Sequence, residues 1–161
     1  MKVGITGHQE RKGIDWDWVR SAINQEFACR QIEIAFSSLA IGSDQVFAET
    51  ALNHNISLTA VIPFEQYEDQ FKRPDRQLYK SLLARCDEVL ILDWPDDRQL
   101  AFLNAGRFIV GVVDVMFAVW DGKKAQGTGG TADIVSFARS KGKPVIHIDP
   151  IRETIGVIGT V

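Results

Sequence analysis

Cysteine is scarce in this chain: 161 residues contain two, Cys29 and Cys86. They lie far apart and in apolar helical contexts. That excludes a disulfide framework and a cysteine metal pair, and reads as two buried free thiols in a reducing compartment. No basic run occurs and the net charge is -3. This argues against bulk nucleic-acid binding, with a local basic patch left open. The longest apolar stretch, near 108–120, is interrupted by Gly111 and Asp114. It is too short and too broken to span a membrane. Met1-Lys2-Val3-Gly4-Ile5 runs straight into a strand pattern rather than a signal peptide, so a cytoplasmic protein is expected. Two nucleotide signatures are also missing. Gly4 and Gly7 are spaced G-x-x-G, not G-x-G-x-x-G, and Phe36-Ser37-Ser38 stands where an acidic residue would follow strand two. No phosphate-loop G-x-x-x-x-G-K-S/T occurs, and Gly142-Lys143-Pro144 reads as a helix stop. Hydride transfer and nucleoside triphosphate hydrolysis therefore lack their sequence signatures. Repeats, low-complexity tracts and composition shifts are absent too. One domain over 1–161 is expected. At 45% hydrophobic residues, with about 70% of the unfolded surface buried on folding, it can build a full core.

What is present is alternation. Short apolar runs at 2–6, 32–36, 58–62, 89–92, 115–120 and 144–148 read as strands. Amphipathic stretches separate them. Asp15 can cap a helix carrying Trp16, Val19, Ile23 and Phe27, and Ser43 or Asp44 opens a second with Phe47, Ala51 and Leu52. Leu78, Leu82, Leu83 and Cys86 mark a third, and Phe102, Gly106, Ile109, Val110 and Val113 a fourth. Continuous apolar strands indicate a sheet covered on both faces. The fold class is therefore α/β: a doubly wound, mostly parallel, Rossmann-like sheet of about six strands with helices on both faces. The tail 151–161 is apolar enough either to pair as an extra strand or to contact a partner, and as a contact it would support a homodimer or larger assembly.

In such sheets ligands bind beyond the carboxyl ends of the strands. That rule selects Gly7-His8-Gln9-Glu10-Arg11, the loop from Ser37 through Ser38, Gly42 and Ser43 to Asp44, Asp93-Trp94-Pro95, and Asp121-Gly122 with the turn Gly127-Thr128-Gly129-Gly130-Thr131. The last turn joins an apolar strand to a helix start, where glycines admit a ligand and free amides face negative charge. Phosphates would rest on Gly129, Gly130 and Thr131, the Thr128 and Thr131 hydroxyls would donate, and Gly42 and Ser43 would form a second amide nest. His8 suits a ligand contact or an acid–base role, or simply orders its turn. Asp44 caps its helix or binds a ribose or base, with capping preferred. Trp94 and Trp120 stack on a base or pack at the rim. His54 reads as a surface or capping residue. His147 and Asp149 share one strand face, but a third ligand is missing and no metal is expected. Arg11, Arg73 and Arg107 are the candidates to neutralise a phosphate, Arg107 the weakest because a helix begun at Asp97 carries it away.

These loops together resemble the SLOG superfamily, Rossmann-like nucleotide-binding proteins that include the lonely-guy phosphoribohydrolases and the DNA-processing protein A fold. The resemblance is carried by Gly4-Ile5-Thr6-Gly7-His8, Ser38-Leu39-Ala40-Ile41-Gly42-Ser43-Asp44 through Glu49, Val61-Ile62-Pro63-Phe64, Val119-Trp120-Asp121-Gly122, and Gly127 to Ala132 with Gly142-Lys143-Pro144-Val145-Ile146. It implies a nucleotide or nucleotide-derived ligand, in a sensor or an enzyme, with no further cofactor. The lonely-guy motif P-G-G-x-G-T-x-x-E places a glutamate three residues after its threonine, where this chain has Ile134. Asp133 is one position earlier, turned about 100° around the helix. Glycosidic chemistry would need a carboxylate from elsewhere, such as Glu10, Asp44, Glu49 or Asp93. A binding module for a nucleotide or phosphosugar is the preferred reading. An N-glycosidic enzyme is the alternative.

Overall fold

The computed structural model describes residues 1–93, 97–123 and 130–159. Among the described residues seven strands form one sheet: β1 (Lys2–Gly7), β2 (Ile34–Ser37), β3 (Ser57–Ile62), β4 (Glu88–Ile91), β5 (Val115–Val119), β6 (Val145–Asp149) and β7 (Thr154–Ile158). Their order is β4-β3-β2-β1-β5-β6-β7, with the first six parallel and β7 antiparallel to β6. Helices α1 (Trp16–Ala28), α2 (Ser43–Asn53) and α3 (Arg73–Leu83) lie on one face, and α4 (Arg98–Val112) and α5 (Thr131–Ser140) on the other. Among the described residues no helix is long and apolar enough to cross a membrane.

The strand sequences explain the two cores. On β5, Val115, Phe117 and Val119 join the core under α1 and α2, whereas Met116 and Ala118 join the core under α4 and α5. Alternate side chains point to opposite faces, so a strand covered on both sides must be apolar throughout. Phe27, Phe47 and Phe117 meet edge to face with centroids 5.1–5.6 Å apart, locking α1 and α2 to β5. Asp15 caps α1 through the amides of Asp17 and Trp18, as its position predicts. The tail is settled as a strand of the same sheet: Asp149 pairs with Thr154 and Val145 with Ile158. One cysteine expectation fails. Cys29 sits at the C-cap of α1 and is exposed, while Cys86 is half-buried and burial pushes its thiol up to about 11.

The chain doubles back between β1 and β5, and there the loops interlock. Ser43 donates its amide and its hydroxyl to the carbonyl of His8, at 3.2 and 2.7 Å. Gly42 makes this contact possible. Its φ is +83°, and a Cβ there would stand 2.2 Å from the Gln9 carbonyl oxygen and 2.8 Å from that of His8. We expect Gly42→Ala to lower the unfolding free energy by roughly 2 kcal/mol or more, because backbone rather than a flexible side chain must yield. Urea titration measures this. A loss below about 1 kcal/mol would show that the two loops can separate cheaply.

Candidate functional site

A cavity of ≈ 340 Å³ opens over the carboxyl ends of β1 and β5, where the strand order reverses. That is the expected ligand crevice of a doubly wound sheet. Its polar lining includes Thr6, His8, Arg11, Asp121 and Lys123. Its apolar lining includes Ile5, Phe102, Ile109 and Ile134, with Tyr67. Gly130, Thr131 and Ala132 line it from the N-terminus of α5.

Asp121 organises the polar wall. Its side chain is only 3% exposed. Oδ1 stands 3.2 Å from His8 Nε2 and accepts from the Lys123 amide at 3.2 Å. His8 Nε2 also lies 3.3 Å from the Asp121 amide, so its tautomer decides whether it donates to the carboxylate or accepts from the backbone. Arg11 Nη2 is 2.6 Å from Oδ2 but outside hydrogen-bonding geometry, leaving that oxygen ion-paired yet without a directed donor among the described residues. Burial opposes the charge on Asp121. The Lys123 amide, His8 and Arg11 outweigh it and hold the carboxyl below its ordinary range.

Asp44 reaches the cavity from the other side, and it does not cap α2. The N-cap is Gly42, with no side-chain cap bond. The carboxylate instead turns back to the loop after β2. Its Oδ2 accepts from the Ser38 amide at 3.0 Å and lies 3.3 Å from Ser37 Oγ. That loop holds Leu39 at φ +56°, a left-handed conformation costly for a branched residue. Asp44 anchors it. Burial raises the Asp44 carboxyl to about 7 against the lowering effect of Ser38, Ser37 and Ala40. The buried Tyr67 phenol is pushed above its usual range by burial and by the nearby Asp44 charge.

The structure thus brings together Gly7, His8, Ser38, Asp44, Trp120, Asp121, Gly130 and Thr131. Others go elsewhere. The amide of Ser43 is taken by His8, and the carbonyls of Gln9 and His8 crowd Gly42, so the second amide nest is closed by the chain itself. Asp93 is exposed and lines a separate 760 Å³ groove with Glu65, Asp69 and Asp97. Glu10 faces a shallow groove beside Gln9 and Ile41, and Glu49 pairs with Arg20 at 2.7 Å. Asp133 is half-buried and does not line the cavity. Among the candidate arginines Arg11 lines it, Arg73 is exposed on α3, and Arg107 lies 5.2 Å over the Phe137 ring. His54 ends α2 and bonds Asn24. His147 is spent on the Trp120 carbonyl and Asp149 on the Ile151 and Arg152 amides. Trp94, Gly127, Thr128 and Gly129 lie outside the described residues. Tyr67, Phe102 and Lys123 were not singled out by sequence as site residues. Phe102 carried only its helical spacing, and Tyr67 falls in a 3-10 turn without periodicity.

A raised carboxyl gives a pH signature. The folded protein keeps the Asp44 proton between about pH 4 and pH 7, where the unfolded chain has released it. The contribution of this group is therefore complete below pH 3.8 and lost as pH rises through about 7. Asp44→Asn should remove that fall. The difference in unfolding free energy between wild type and variant, followed by urea titration from pH 4 to 8, should change across this window. A difference independent of pH would contradict the assignment.

No family model matches the chain, and no curated protein does. Solved structures match it. DNA processing protein A from Streptococcus pneumoniae aligns over 92% of this chain and 50% of its own, with 21% identity and a TM-score of 0.66. The same protein from Helicobacter pylori, described for its single-stranded DNA binding mode, aligns over 92% and 65%, with 17% identity and a TM-score of 0.63. The Chlamydomonas reinhardtii Moco carrier protein aligns over 91% and 74%, with 15% identity and a TM-score of 0.53. The chain spans half the length of the Streptococcus protein and about two thirds of the Helicobacter one. It has the α/β Rossmann-like fold of these structures.

Proposed function

We propose that this chain is a binding module for a nucleotide or nucleotide-derived ligand, acting as a sensor or carrier. The observation that carries the reading is the mixed lining of the cavity. Arg11, Lys123 and the opening residues of α5 offer positive charge and amides to a phosphate, while Phe102, Ile109 and Ile134 offer an apolar surface to a base. The first amides of a helix have no partner within it, and Gly130 and Thr131 stand there. Gly127, Thr128 and Gly129 directly precede Gly130 in sequence. The volume of ≈ 340 Å³ falls at the small end of ligand pockets and suits one mononucleotide moiety. The carrier role of the Chlamydomonas protein is in keeping with holding a ligand without consuming it.

A second reading rests on Asp44. A buried carboxyl near neutrality, lining the cavity, meets the need of a general acid for N-glycosidic cleavage. Against it stands Ile134, 3% exposed, where the enzymes of the resembled superfamily place glutamate.

Thermal denaturation with adenosine 5′-monophosphate, ADP-ribose, ribose 5-phosphate and a single-stranded oligodeoxynucleotide tests both. A ligand at 100 times its Kd adds about 2.7 kcal/mol to stability. We expect a shift with the nucleotides, and its loss in Gly130→Val. Gly130 has φ −74°, open to any residue, so valine fills the cradle without straining the backbone. No shift with any nucleotide, or an undiminished one in Gly130→Val, refutes the cradle. A shift confined to the oligonucleotide would assign the cavity to DNA. Chromatography of the bound mixtures should show intact nucleotide. Free base that disappears in Asp44→Asn would establish the enzyme.

A further inference from the structure

Asp121 carries an asymmetry that a salt bridge alone does not explain. Oδ1 is held by His8 and the Lys123 amide, whereas the buried Oδ2 has no directed donor among the described residues. Arg11 covers Oδ2 at 2.6 Å with poor hydrogen-bond geometry, and its side chain is one-third exposed. Buried carboxylate oxygens are normally hydrogen-bonded, and an exception inside a ligand cavity points to a donor that arrives with the ligand. The surroundings define that donor. Arg11, and Lys123 Nζ at 3.9 Å, repel an ammonium group or a metal cation, so the donor is neutral. Arg11 and Lys123 together exceed the single carboxylate by one charge, so an anionic group fits beside it. A neutral donor next to an anion is the pattern of a sugar hydroxyl in a sugar phosphate.

Resting on the nucleotide reading above, we propose that Asp121 determines sugar specificity, its Oδ2 accepting a hydrogen bond from a ribose hydroxyl. The hydroxyl takes the place of Arg11, whose guanidinium turns to the ligand phosphate. A ligand without that hydroxyl draws Arg11 away and leaves Oδ2 buried and unpaired, which costs it roughly tenfold or more in affinity.

Titration calorimetry with adenosine 5′-monophosphate and its 2′-deoxy and 3′-deoxy forms tests this. At least one deoxy form should bind the wild type tenfold or more weakly, and the ratio should fall below about threefold in Asp121→Asn. Arg11→Gln should weaken all three nucleotides yet keep the ratio, and it decides the matter if Asp121→Asn does not fold. Equal binding of the three by wild type overturns the sugar assignment and leaves nucleotide binding standing. A ratio that persists in Asp121→Asn, or vanishes in Arg11→Gln, also overturns it. No binding of any of the three overturns both readings.

Discussion

The site depends on one clamp. The carbonyl of His8, just past β1, is held by both the amide and the hydroxyl of Ser43 at the start of α2. Two absent side chains admit it. A Cβ on Gly42 would strike the Gln9 and His8 carbonyls, and one on Gly7 would stand 2.5 Å from Ser43 Oγ. The clamp satisfies donors at the α2 N-terminus that would otherwise face solvent or a ligand. It also fixes the loop after β1 against the body of the protein. His8 and Arg11 are thereby delivered across β1 to Asp121, beyond the end of β5. One end of the crevice is rigid because a helix N-terminus was spent inside the chain.

The two cavity aspartates differ through their company more than their depth. Asp44 and Asp121 are both 7% exposed. The donors to Asp44 are neutral, namely amides and the Ser37 hydroxyl, and they do not offset its desolvation. Asp121 has neutral donors too, but adds the Arg11 guanidinium and the His8 ring, and stays ionised. The cavity is therefore lined by both a near-neutral carboxyl and a compensated negative charge.

How much of this was legible in sequence follows the range of the forces involved. The inner parallel strands were readable because burial on both faces leaves unbroken apolar runs, as in Val115–Val119, whereas β4 is an edge strand whose apolar residues are largely exposed. β7 was ambiguous. Its residues 154–158 are exposed or half-buried, and only pairing with β6 defines them. Asp15 capped its helix as predicted because capping is local. Asp44 did not, because the loop carrying Ser38 competed for the same carboxylate. The Ser43 amide of the second nest is occupied for a similar reason. The carbonyl that fills it arrives from 35 residues earlier in the chain. Tyr67 gave no signal, since its turn has neither periodicity nor a motif, and the fold alone brings it to the cavity edge.

The pairing of Gly106 with Ile134 bears on whether the cavity holds or cuts. A Cβ at Gly106 would stand 2.5 Å from Ile134 Cδ1, so α4 and α5 meet through an isoleucine seated on a glycine. Both residues also line the cavity. A glutamate in place of Ile134 would put a carboxylate into the packed seam of α4 and α5, where an unpaired charge is costly. The isoleucine is therefore part of both the helix seam and the apolar lining of the cavity. One side chain thus joins α4 to α5 and at the same time gives the cavity apolar surface, so the packing of these helices and the character of the cavity cannot be changed separately at this position.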